Sequence, residues 1–294
     1  MQPAIIPIAP RLSLKKILVA TDLSYSSKPL VPIAAAIARR FHSELTVTHV
    51  IGDVGLLPES PAFSPELSEE TAKKKMAELL RSPGTADVNI HGRIRKGNAA
   101  TQITDLARSE SFDLVITGTH GRRGFRHFLV GSVCEEIFRH VRCPVLTVGP
   151  HVVTIDKTNE LECILFPTDL SPESMAALPY ACAIASEFHA KLLLLHVLPP
   201  ETAANPDTRT LSEPLLARMK ELVNAQVQPS STPEFVVDSG SEAETIQAAA
   251  KERNAGLIVL GLRHRLAGTN LHSTIAYKIV AEAHCPVLTI RSSK

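Results

Sequence analysis

Short apolar runs alternate along this chain with longer segments in which apolar residues recur every three or four positions, and the whole alternation occurs twice. In the first pass Ile17–Ala20, Leu45–Val50, Val88–Arg95, Leu114–Thr117 and Pro144–Val148 are short and aliphatic, the pattern of strands buried on both faces. Between them, Ile33, Ile37 and Phe41 fall at helical spacing, and Glu69–Leu80, Thr101–Arg108 and a segment opening near Ser132 are also predicted helices. The second pass predicts strands at Ile164–Pro167, Leu192–Leu198, Glu234–Val237, Leu257–Leu260 and Pro286–Ile290. Its helices carry Ala181, Ala185 and Phe188, then cover Leu215–Val223 and Glu244–Arg253. Pro58–Pro65 and Pro199–Pro214 are polar, proline-containing stretches leading into the second helix of each pass. Ser24 and Ser171, each just after a first strand, are candidate helix N-caps.

The two passes are copies. Residues 15–50 align without a gap to residues 162–197, with 17 of 36 positions identical, against roughly two expected by chance. G-N-A-A-T-Q-I at Gly97 matches G-S-E-A-E-T-I at Gly240, D-L-V-I-T-G at Asp113 matches G-L-I-V-L-G at Gly256, and C-P-V-L-T-V at Cys143 matches C-P-V-L-T-I at Cys285. The organisation this predicts is a first domain over 1–150, a linker over 151–161 and a second domain over 162–294. Strands alternating with helices at this spacing call for right-handed crossovers, hence two tandem doubly wound five-stranded parallel-sheet domains of the α/β class. Ligands of such sheets sit beyond the carboxyl ends of the strands, where strand order reverses. T-D-L-S after the first strand and the loop after the fourth both fall there.

Composition narrows the functional classes. The chain has 294 residues, no Trp and 4% aromatics, so its cores are aliphatic and base stacking on exposed aromatics is a poor expectation. The net charge is +1, which gives no general pull toward nucleic acid or membrane surfaces. Residues 1–150 hold 19 Lys+Arg and 14 Asp+Glu, whereas 151–294 hold 12 and 16, so the halves carry +5 and −4. That split suits an anionic ligand in the first half and equally suits drift of surface charge. Five cysteines, odd in number and without C-x-x-C spacing, argue against a zinc site or a disulfide framework and for a reducing cytoplasm. The apolar Met1–Pro10 is broken by three prolines and lacks the polarity of a signal peptide, and no apolar run reaches membrane-spanning length. The repeated His42/His189 and His49/His196 are read as structural residues rather than metal ligands, with no H-x-x-x-H or H-E-x-x-H pattern present.

The segment with the clearest chemistry is Gly118–Ser132, G-T-H-G-R-R-G-F-R-H-F-L-V-G-S. Gly118, Gly121 and Gly131-Ser132 punctuate it, and Arg122, Arg123 and Arg126 lie between. Glycines let backbone N–H groups approach phosphate oxygens and accept positive φ at low cost, and a helix opening at Ser132 offers unbonded amides and a positive dipole end. The same loop could be a turn without a ligand, and Asp22 and Asp169 could cap the helices after them as well as bind.

The T-D-L-S opening, the H-V that ends the second strand, the G-x2-G-x9-G-S loop and the C-P-V-L-T-V terminal strand together resemble the universal stress protein family, in its tandem-domain form. The resemblance covers both halves and implies an adenine nucleotide alpha-hydrolase-like fold. The glycine spacing is that of the family's ATP-binding branch. By that resemblance Ala20, Thr21, Asp22 and Val50 line an adenosine pocket, Thr117 and Gly118 pass close to the ribose and base, and Gly121, Gly131, Ser132 and Val133 hold the phosphates. It implies ATP, ADP or AMP as ligand, with Mg2+ as companion ion. It also implies pairing through the fifth strands, between copies or between chains.

The second repeat departs from this pattern. Gly261 persists, but His264 stands in place of Gly121, the loop is one residue shorter, and Ser273-Thr274 replaces Gly131-Ser132. Weak or absent nucleotide binding is expected there, although Asp169 and Val197 persist and Ser273, Thr274, Arg263 and Arg265 remain as anion donors. No G-x4-G-K-[ST] loop and no G-x-S-x-G is present. The function expected is therefore cytoplasmic stress-response binding of a regulatory or stabilising nucleotide, without catalytic residues. The alternatives are an interaction protein that binds no nucleotide and a slow ATPase.

Overall fold

The structure is a computed structural model, which describes residues 12–52, 68–119, 130–152, 161–202, 208–224, 232–262 and 274–291. The chain divides into two compact units, residues 13–154 and residues from 155 onward. In the first, β1 (Lys16–Ala20), α1 (Leu30–Phe41), β2 (Glu44–Ile51), α2 (Glu69–Leu80), β3 (Ile90–Lys96), α3 (Ala99–Ser109), β4 (Leu114–Gly118), α4 (Ser132–His140) and β5 (Val145–Val148) follow in order. All pairings are parallel and the strand order is β3-β2-β1-β4-β5. The order reverses between β1 and β4, which puts the predicted crevice beyond their carboxyl ends.

Register decides which side chains share a face. Leu18 lies beside Thr46 and Val115, and Ala20 beside Thr48 and Thr117, while Val50 lies beside Arg95. On this face Leu18, Ala20, Val115 and Val145 form one apolar core with Ile103, Leu106 and Ala107 of α3, Ile137 of α4, and Phe112 and Val141. Val50 and Val133 pack at its margin. The opposite face, with Val19 and Val47, packs against α1 and α2. A β-carbon on Gly92, which shares that face, would stand 2.8 Å from Leu80 and Met76 of α2. Strands covered on both sides are uniformly apolar, which is why β1 is a run of fully buried Ile17, Leu18 and Val19.

The second unit repeats the plan with β6 (Cys163–Pro167), α5 (Pro172–Met175), α6 (Leu178–Phe188), β7 (Lys191–Leu198), α7 (Thr208–Asn224), β8 (Glu234–Ser239), α8 (Glu242–Glu252), β9 (Leu257–Leu262), α9 (Ile275–Glu282) and β10 (Val287–Arg291). Its parallel pairings give the order β8-β7-β6-β9-β10. Both units are thus doubly wound five-stranded parallel sheets, as the alternation of elements predicts.

Two local expectations are corrected. Ser171 caps the short α5, its Oγ accepting the Ser174 N–H at 3.2 Å, but Ser24 caps no helix. Its Oγ pairs with Ser26 Oγ at 2.8 Å, and α1 starts only at Leu30, after Pro29, with no side-chain cap. The difference comes from residue 172, a proline whose fixed φ suits the first helical position; Tyr25 stands at the matching place. The second correction is that α7 begins at Thr208 and runs through Pro214, well before Leu215.

Candidate functional site

The first strand delivers Thr21 to a turn built from side chains. Thr21 N–H donates to the Thr48 carbonyl at 3.0 Å, which extends the β1–β2 ladder by one bond. Its Oγ1 donates to Ser27 Oγ at 2.8 Å and accepts the Leu23 N–H at 3.0 Å. Asp22 Oδ1 accepts the Ser24 N–H at 2.9 Å. These bonds hold Leu23 at φ 59°, a left-handed conformation unusual for a branched residue. His49 Nδ1–H donates to the Thr21 carbonyl at 2.9 Å; both groups are buried. The repeated histidine therefore serves as a structural donor.

The second repeat reproduces three of these bonds. Leu170 N–H donates to Thr168 Oγ1 at 3.0 Å, Ser171 N–H to Asp169 Oδ1 at 3.0 Å and His196 Nδ1–H to the Thr168 carbonyl at 2.8 Å. Leu170 has φ 61°. Asp22 and Asp169 thus each brace the loop after a first strand.

The start of α4 has a different construction. Gly131 is its N-cap, at φ −63° and ψ 148° with no side-chain cap, so its glycine is not required by positive φ. Space is the reason: a β-carbon there would stand 3.3 Å from the Thr119 carbonyl. Gly131 N–H donates to that carbonyl at 2.7 Å, so its own amide is already used. The amides that α4 presents outward are those of Ser132 and Val133 in its first turn, where no intrahelical acceptor exists. Thr119, buried, donates its N–H to the Val148 carbonyl at 3.2 Å and so pins the helix start beside β4 and β5. Nothing in the sequence but its position after Gly118 marks it out.

Ala20, Val50, Thr117 and Val133 gather on one face of the sheet near its carboxyl edge, with Thr21, Asp22 and Gly118 at the adjoining strand ends. Thr48 lies on the same face between Ala20 and Arg93; it is fully buried and its Oγ1 has no hydrogen-bond partner. Gly121 and the arginines at 122, 123 and 126 lie outside the described residues, as do His264, Arg263, Arg265 and Ser273.

The second repeat differs at both the helix start and the fourth-strand end. Thr274 is the N-cap of α9, and its Oγ1 accepts the Tyr277 N–H at 3.2 Å. Over β9, a β-carbon on Gly261 would stand 2.3 Å from the Glu173 carbonyl and 2.6 Å from Ser174 Cα, so α5 lies directly on that strand end. Among the described residues no cluster of His, Cys, Asp or Glu could hold a metal ion, and no helix is long and apolar enough to cross a membrane.

The model of the universal stress protein family matches residues 13–149 and again residues 161–291. The chain belongs to this family. Its adenine nucleotide alpha-hydrolase-like fold is that of solved members. A universal stress protein of Methanocaldococcus jannaschii is 31% identical over 139 residues, 46% of this chain and 81% of that protein. One from Mycolicibacterium smegmatis is 33% identical over 140 residues, 46% of this chain and 45% of its own length. The crystal structure of a universal stress protein from Archaeoglobus fulgidus superposes with a TM-score of 0.65 over 95% of this chain and 98% of that one, at 18% identity. That likeness is one of fold. The repeat seen in the sequence is therefore the family domain occurring twice.

Proposed function

We propose that the first repeat binds an adenine nucleotide (ATP, ADP or AMP, with Mg2+ accompanying the triphosphate) as a regulatory or stabilising ligand, and that the second repeat binds none. The observation carrying this reading is the pair of helix starts. In the first repeat a glycine is the N-cap of α4 and makes no side-chain cap. In the second the N-cap is a threonine, whose Oγ1 accepts the N–H of Tyr277 in the first turn of α9 and sets a β-branched side chain at the helix start. Ser132 and Val133 would donate to phosphate oxygens, a β-carbon at 131 would crowd the approach, and Ala20, Asp22, Val50 and Thr117 would surround the nucleoside. Binding would shift a conformational or assembly equilibrium by its differential affinity. A cytoplasmic location, and the fifth-strand pairing the resemblance implies, belong to the same proposal.

Isothermal titration of the full chain with ATP, ADP and AMP tests it. One site per chain is expected, lost in Gly131→Val while circular dichroism stays unchanged. Two sites of similar affinity would remove the asymmetry, and unaltered binding by Gly131→Val would remove the site.

A further inference from the structure

At the carboxyl edge of the first sheet, Arg95 is in register with Val50 and Lys96 with Ile51. The matching neighbours in the second sheet are Asp238 beside Val197 and Ser239 beside Leu198. One strand away from the residue that would line the nucleoside, about 4.8 Å, the first repeat carries a guanidinium and the second a carboxylate. The surroundings differ accordingly. Arg95 is half-buried, and its Nε–H donates to Gln102 Oε1 at 2.7 Å. Gln102 reaches it because Gly97, at φ 117°, turns the chain sharply into α3, with its N–H on the Ile51 carbonyl at 2.9 Å. Thr245 stands where Gln102 stands, and Asp238 Oδ1 accepts the neighbouring Ser239 N–H at 2.7 Å.

The bond through Nε fixes the plane of the Arg95 guanidinium and leaves both terminal nitrogens to donate elsewhere. Among the described residues no acceptor meets them. Arg95 shares its face with Val50, Ala20 and Thr48, whose buried hydroxyl also lacks a partner. Two polar groups oriented by the fold, one of them fully buried, thus stand on the face and edge where the nucleoside would lie.

We infer that Arg95 is a specificity-determining contact of the first repeat, its Nη groups donating to acceptor atoms of the nucleoside, and that Gln102 is its positioning residue. The inference rests on the nucleotide reading of this site. A contact at the nucleoside end costs the same factor whatever the phosphate number, whereas a diffuse field of positive charge would matter most for ATP and least for AMP.

Titration of the full chain with ATP, ADP and AMP separates the two. Arg95→Gln, which keeps the stem of the side chain, is expected to weaken all three by about tenfold, with the unliganded melting temperature unchanged. Arg95→Lys, a point charge without the fork, should not restore affinity, and Gln102→Ala should show a smaller loss in the same sense. Comparing ATP with 2′-deoxy-ATP locates the contact: a smaller Arg95→Gln effect on the deoxy ligand places it on the ribose, an equal one on the base. Affinities within about twofold of the original chain for all three ligands would overturn the inference. So would a loss that grows with phosphate number and is rescued by lysine. If the unaltered chain binds no nucleotide, the reading of the site fails first and this contact fails with it.

Discussion

Thr21 shows how much of this site one hydroxyl can hold. It accepts the N–H of a leucine held in left-handed backbone, a conformation costing roughly 1–2 kcal/mol, and it donates to Ser27 within the buried base of the loop. Replacing it with the isosteric valine leaves the buried Leu23 N–H unsatisfied and removes the donor to Ser27 Oγ, which keeps its bond to the Ser24 carbonyl at 3.0 Å. Thr21→Val is therefore expected to cost about 1–3 kcal/mol in urea unfolding, with Thr21→Ser close to the original. Thr168→Val should cost a similar amount, because Thr168 makes the same bonds to Leu170 and Ser174. A Thr21→Val chain as stable as its parent would show that the turn is held by its backbone instead. T-D-L-S was legible in the sequence as a repeated loop, but the division of labour was not. Which hydroxyl meets which amide depends on a φ value that residue identity does not display.

At the scale of the element, α4 and α9 are equivalent helices with opposite capping. Thr274 contributes a side-chain acceptor to its own helix, so Thr274→Ala should lower stability by about 1 kcal/mol. Ser132 is exposed at the first helical position and gives no such cap. Ser132→Ala should leave the unliganded midpoint within about 0.5 kcal/mol and lower nucleotide affinity. Chemical denaturation with and without ATP reads both effects, and a stability loss for Ser132→Ala matching that of Thr274→Ala would show that the two helix starts are alike. The loss of glycine at 273–274 was visible in the sequence, and the two helix starts do differ in their caps. Its physical basis differs from the one expected: Gly131 has an ordinary φ, and what matters is room beside the Thr119 carbonyl. The Ser24 cap failed for an elementary reason too, since a serine after a strand caps a helix only if the next residues can begin one.

Across the whole molecule, the thiols give a signature of the packed fold. Burial is the largest influence on Cys134, Cys143, Cys182 and Cys285 and pushes each thiol up to about 12, from an ordinary value of 9.0. Above pH 9 the unfolded chain releases thiol protons that the folded chain retains. The folded state then binds more protons, so stability falls as pH rises through this window. The urea midpoint is expected to drop between pH 8 and pH 10, and Cys182→Ala, with one titrating thiol fewer, should show a smaller drop. An identical pH dependence in that variant would mean that other groups set the alkaline limb. Cys134, Cys163, Cys182 and Cys285 are buried and Cys143 is partly buried, because in a chain that can bury sizeable aliphatic cores a cysteine is simply a small apolar side chain.

The repeat, the parallel sheets and the family were settled by chain order alone, because periodicity and motif spacing are properties of that order. Alternation of buried strands with amphipathic helices leaves few other ways to hide both faces of a sheet. Folding chose which residues become neighbours. Register set Arg95 beside Val50 and Asp238 beside Val197, although 45 residues separate the first pair and 41 the second (95 − 50 and 238 − 197). It also laid the backbone of α5 over Gly261 and committed the Gly131 amide to Thr119. Contacts of that kind arise from packing geometry in three dimensions, and no linear pattern encodes them locally.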